Sequence, residues 1–138
     1  MDSVIRYFID HWNGDHSVAR TGWMGSLVAI LLVIPTEYLS TRSFLLANHL
    51  TSLGDMVTMA ANGNFTFAPP AFGVEALNQL VNLAVTIWWS VGSWRSCLNP
   101  ANNPDGPRGW WGFKATIIIT AVIQLDDLVD FIRTSFGG

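Results

Sequence analysis

Apolar residues at Val4, Ile5, Phe8, Ile9 and Trp12 recur at the spacing of one helix face. Gly14 ends that pattern, so residues 1–13 read as a short amphipathic helix. Such a helix lies in a membrane interface, with Tyr7, Phe8 and Trp12 as anchors. The next apolar run, about 22–39, is bracketed by Trp23 and Tyr38 and carries Pro35 and Glu37 in its last turns. It reads as a first membrane span with a short apolar part. Gly22 with Ser26, and Gly25 with Ala29, are small pairs that admit a close neighbour. Residues 40–62 place Leu46, Leu50, Leu53, Val57 and Ala60 on one stripe and Asn48, His49, Ser52, Asp55 and Thr58 largely elsewhere. Crossing a bilayer would bury Asp55, so the segment is expected as an amphipathic surface helix.

Residues 63–72 read as loop from their glycine and paired prolines. Asn64-Phe65-Thr66 within them matches the N-glycosylation pattern. A second span is expected over about 73–94 and a third over about 110–132. In the second, Glu75, Asn78, Asn82 and Thr86 form a polar stripe. Polar groups in a span face the interior of a bundle or a water-filled cavity. The stripe therefore supplies interhelical hydrogen bonds or lines a polar path. The third span begins near Lys114 and ends with Asp126, Asp127 and Asp130. Asp126 lies about 24 Å from Trp110 along a helix, close to one hydrocarbon thickness. Between these spans, residues 95–109 form a polar hairpin rich in Asn, Pro and Gly, flanked by tryptophans. The expected fold is all-α: three spans, an interfacial N-terminal helix and the 40–62 helix in one membrane domain.

Composition agrees. Half of the 138 residues are hydrophobic and only 12% are charged, against roughly 25% charged in soluble domains. The net charge of −3 argues against nucleic acid. A lone cysteine, Cys97, excludes an internal disulfide. The run Leu27–Ile34 resembles a signal-peptide core, but Asp2, Asp10 and Asp15 precede it and no small-residue cleavage site follows. An uncleaved span is expected. Five basic residues (Arg6, Arg20, Arg95, Arg108, Lys114) fall on the side of the N-terminus and hairpin, against Arg42 and Arg133 on the other. Basic residues mark the cytoplasmic face, so that side is expected to be cytoplasmic. A four-span arrangement would put the hairpin's basic residues outside, and the count disfavours it.

Catalytic patterns are missing. His11, Asp15 and His16 lack converging ligand geometry, so no metal or cofactor is expected. The aspartates at the end of the third span read as a solvated terminus. Arg95 beside Cys97 would lower the thiol pKa, but no histidine partner accompanies it. No Gly-rich phosphate loop or Ser-His-Asp order is present.

Two motifs carry a resemblance. His11-Trp12-Asn13-Gly14-Asp15-His16-Ser17-Val18 resembles an HWRGELSL pattern, and Val91-Gly92-Ser93-Trp94-Arg95-Ser96-Cys97, with Trp111-Gly112-Phe113-Lys114 after the loop, resembles VGxWRSA followed by Trp-Gly and a basic residue. In both the chain resembles a family of small, uncharacterised bacterial inner-membrane proteins. Asn13, Asp15 and Cys97 stand where that pattern has Arg, Glu and Ala. The resemblance implies the bacterial inner membrane and no activity. At that interface Trp12, Trp94 and Trp111 are expected to cluster, Arg95 to pair with Asp15 or a lipid phosphate, and Lys114 to reach headgroups. The sequence thus points to a non-enzymatic accessory or structural component of a membrane assembly. Its partners are the lipid bilayer and other membrane proteins or further copies of the chain. The alternative is an oligomeric channel or transport subunit, with Glu75, Asn78, Asn82 and Thr86 lining its path.

Overall fold

The computed structural model describes residues 2–63, 67–102 and 109–136. The described residues are helical with no strand. Helix α1 spans Asp2–Asn13. It stops at Gly14, whose positive φ of 77° only glycine adopts cheaply. Helix α2 spans Val18–Ala47. Ser17 caps it by accepting a hydrogen bond from the Arg20 amide. Its turn Thr21–Gly25 is π-helical. Pro35 lies inside it without ending it. A short α3, Leu53–Ala61, starts with a capping box made by Ser52 and Asp55. Helices α4, Phe72–Leu98, and α5, Trp111–Phe136, complete the chain.

Helices α2, α4 and α5 form an up-down-up bundle. At one end Gly22 of α2 and Trp89 of α4 both meet Phe113 near the start of α5. At the other, Ser43 of α2 and Asn48 just past its end bond to Ala71 and Ala68 before α4. Helix α1 lies across the first end against α4.

Two expectations need correction. The first long helix does not end near residue 39. It continues through Arg42 to Ala47, because no residue after Pro35 breaks it and Asn48 closes it by bonding back to the Phe44 carbonyl. The amphipathic helix expected over 40–62 shrinks accordingly to residues 53–61, after His49 turns the chain in a left-handed conformation. The Asn64-Phe65-Thr66 pattern lies outside the described residues.

The distribution of polarity is inverted relative to a water-soluble domain. Fully enclosed side chains include His11, Thr21, Ser93 and Ser96, while Leu27, Ile30, Leu31, Leu80, Ile118, Ile119, Val122 and Ile123 are exposed. Soluble proteins bury the second kind of residue and expose the first. Helix α2 is long and apolar enough to cross a membrane, and only 17% of its most apolar stretch is buried inside the chain. No other helix of the described residues meets that standard. Helices α4 and α5 have the length, about 40 Å each at 1.5 Å per residue. The stripe from Glu75 to Asn82 makes α4 less apolar, and Lys114 with three aspartates adds charge to α5.

Candidate functional site

The two sequence motifs meet. Residues 11–17 and 91–97 form one polar joint at the end of the bundle where α2 starts and α4 stops. His11 sits fully buried between Gly25 of α2 and Gly92 of α4. A Cβ on Gly25 would lie 2.8 Å from the imidazole, and one on Gly92 would overlap it. Those glycines let the helices close on the ring. The Trp88 ring lies tilted against it, 4.2 Å between ring centroids. Burial pushes the His11 pKa down to about 4, opposed by the Trp89 backbone and assisted by His16. The ring approaches that backbone without reaching hydrogen-bond geometry.

The rest of the joint is backbone recognition. Gly14 packs on the Arg95 backbone, where a Cβ would lie 2.6 Å away. Its carbonyl accepts from Asn99 and Asn102 at 3.2 Å each, and Asn102 also donates to the His16 carbonyl at 2.8 Å. Thr21, in the π-helical turn, shares a buried hydrogen bond of 3.1 Å with Ser96. π-Turns are rare and favour functional positions. This one delivers Thr21 and Gly25 to the joint.

Arg95 donates to the Trp12 carbonyl at 3.0 Å and lies 5.2 Å from the centre of its ring. It does not pair with Asp15. That carboxylate is exposed, and among the described residues the ion pair is Arg133 with Asp130. The expected cluster of Trp12, Trp94 and Trp111 is likewise absent among the described residues. Those three rings point outward, at 38%, 38% and 76% exposure. Tyr7, Phe8, His11 and Trp88 cluster instead. Tyr7 and Phe8 therefore face the protein, and Val4, Ile5 and Ile9 with Trp12 form the outward apolar face of α1. Lys114 lies in the first turn of α5 and is half-buried. Cys97 is wholly enclosed, in keeping with a thiol that lacks an activating partner in the sequence.

The polar stripe is a second site toward the other end. Glu37 of α2 faces it. The Glu37 Oε1 accepts from the Asn82 side chain at 2.8 Å and from that of Asn78 at 3.2 Å. Ser40 donates to Glu75 Oε2, and Gln79 donates to Glu75 Oε1 at 3.0 Å. Gln124 of α5 reaches Gln79 at 3.5 Å. The two carboxylates, with the asparagine amides and Ser40, thus bond α2 to α4, and the two glutamine amides bond α4 to α5. Thr86 stands apart from this network and lines a groove of about 410 Å³ between the three helices. Another depression, about 520 Å³, takes in Glu75, Asp127 and Asp130 near the end of α5.

Sequence reasoning missed Glu37 and Ser40. At the end of a span over 22–39, Glu37 is peripheral. In the longer helix it falls about 7 Å past the midpoint of Val18–Ala47. The signal was available: Glu37 and Ser40 lie three apart, as Glu75 and Asn78 do. Among the described residues no group of three His, Cys, Asp or Glu converges as metal ligands do. No protein-family model, curated protein or solved structure matches the chain.

Proposed function

We propose that the chain is a small, non-enzymatic, three-span membrane protein serving as an accessory or structural component of a bacterial inner-membrane assembly. The inverted polarity carries this reading: the helices hold together through buried polar groups and offer apolar faces outward. That is how helices associate where lipid tails leave no hydrophobic drive between them. Helices α2, α4 and α5 are the spans. Trp23, Trp94, Trp110 and Trp111 are exposed at the end where the motifs join, as an interfacial aromatic belt requires. The motif joint itself fixes the N-terminal segment to the hairpin and makes one platform on the cytoplasmic side. Arg95, Asn99 and Asn102 bond to the backbone of residues 12–16, and Thr21 bonds Ser96, which suits a rigid docking face better than a reaction centre.

Mild-detergent affinity purification tests this. A partner recovered in fixed stoichiometry, and lost when the platform is disrupted by Gly92→Leu, is the expected result. A catalytic turnover of the purified protein that a single polar substitution abolishes would overturn it.

The second reading, a channel or transport subunit, is favoured by one observation: Glu37 of α2 puts a carboxylate against the polar stripe of α4. Intramembrane ionisable residues mark pathways more often than chance. Liposome flux decides it. Flux that Asn82→Leu changes would promote this reading over the first.

A further inference from the structure

We propose that the groove between α2, α4 and α5 binds a lipophilic organic monocation, an amine or onium ion, with its charge against Glu37. The groove holds about 410 Å³, within the ~300–1,000 Å³ of small-ligand sites. Ala29, Val33 and Glu37 of α2, Thr86 and Trp89 of α4, and Thr120 of α5 line it. Its walls are apolar or carry single hydroxyls, and Glu37 is its only charged wall among the described residues. Sites for apolar ligands with one oriented polar group have this composition.

Charge selects the ligand. Both amide donors reach Glu37 Oε1, so Oε2 accepts no hydrogen bond from the described residues. No described Lys or Arg lies within ion-pair distance of it. A carboxylate at this depth, beside hydrocarbon, is costly unless a cation joins it. A hydrophilic cation would lose its hydration in such a groove, whereas an organic cation brings apolar surface for Ala29, Val33 and Trp89. Trp89 adds an aromatic wall, and its indole nitrogen is buried without a hydrogen-bond partner. An anion or a neutral acyl chain leaves Glu37 unpaired.

The site rests on the reading that α2 crosses a bilayer, but its test does not. Binding is measured in detergent by equilibrium dialysis, with tetraphenylphosphonium as the probe and tetraphenylborate as the anion of the same shape. Saturation at one phosphonium per chain is expected, with borate at least fivefold weaker. Glu37→Gln should weaken phosphonium binding at least fivefold, and Ala29→Phe should abolish saturable binding of either ion by filling the groove. Thermal unfolding in detergent establishes that each variant is folded. If Glu37→Gln is not, the preference for phosphonium over borate in the unaltered protein decides alone. A preference or a loss smaller than fivefold overturns the proposal. So does a phospholipid held at one per chain in native mass spectrometry that phosphonium does not displace. Failure of the membrane topology would appear in cysteine labelling and leave these titrations interpretable.

Discussion

His11 shows what a single residue contributes at the joint. Helix packing against its ring needs glycine at 25 and 92, because any Cβ there collides with it. Glycine to alanine inside a helix ordinarily stabilises by about 0.5–1 kcal/mol. At Gly92 the sign should reverse: Gly92→Ala is expected to destabilise by about 1–3 kcal/mol through overpacking. Gly112→Ala, with nothing within 4 Å of the new carbon, should be neutral or mildly stabilising. Thermal unfolding of the two variants in one detergent checks the contrast. The imidazole also makes the joint acid-sensitive. His11 titrates near 6.5 in an unfolded chain and near 4 here. Between those values the unfolded state binds more protons, so stability rises with pH. The full contribution is present above about pH 6.5 and is lost as pH falls toward 4, on the order of 3 kcal/mol. Burial lowers the His16 pKa too, with Arg20 assisting and Asp10 and Asp15 opposing. Unfolding followed by tryptophan fluorescence from pH 7 to 4 should show the loss, and His11→Leu should leave only the part due to His16. Equal pH profiles for the two proteins would place the acid sensitivity elsewhere.

At the scale of elements, the stripe on α4 was legible in the sequence and its partner was not. Glu75, Asn78, Asn82 and Thr86 show a face by spacing alone. Pairing that face with α2 needs the register between two helices, and hydropathy carries none. The helix ends were misread for a related reason. Pro35, Glu37 and Arg42 look like the end of an apolar run, but a run's end need not be the helix's end. Helix α2 continues eight residues past Leu39 because its last turns are closed by Asn48 and tied to Ala68. The motif joint was half legible. Both motifs stood out, and Gly14 as a stop was plain, yet Arg95 sought a carboxylate on charge alone and found the Trp12 carbonyl and ring. Interhelical hydrogen bonds between spans are worth about 0.6–2 kcal/mol. Asn82→Leu removes the shorter of the two bonds to Glu37 and should cost about that much. Asn82→Asp would set a second carboxylate beside Glu37 and should cost more. Denaturation in mixed micelles checks the order.

At the scale of the whole molecule, the N-terminal segment and the hairpin meet at one face. The charge count needs nothing but sequence, and it assigns the N-terminal segment and the hairpin to one side. The joint from Gly14 to Asn102 brings those same segments together. The count and the hydrogen bonds are independent observations, and two spans between the N-terminal segment and the hairpin satisfy both. Cys97 cannot report sidedness, because a reagent that cannot reach its enclosed thiol reports burial and not topology. Exposed positions must report instead. In a Cys97→Ser background, Ala101→Cys places a thiol on the exposed hairpin and Ala60→Cys places one on the exposed side of α3. A membrane-impermeant maleimide added to intact spheroplasts should label Ala60→Cys and spare Ala101→Cys, and lysis should expose both. Labelling of Ala101→Cys alone in intact spheroplasts would reverse the orientation. Labelling of both would mean that the hairpin and α3 share one side of the membrane, and the up-down-up bundle would then not be a set of three spans.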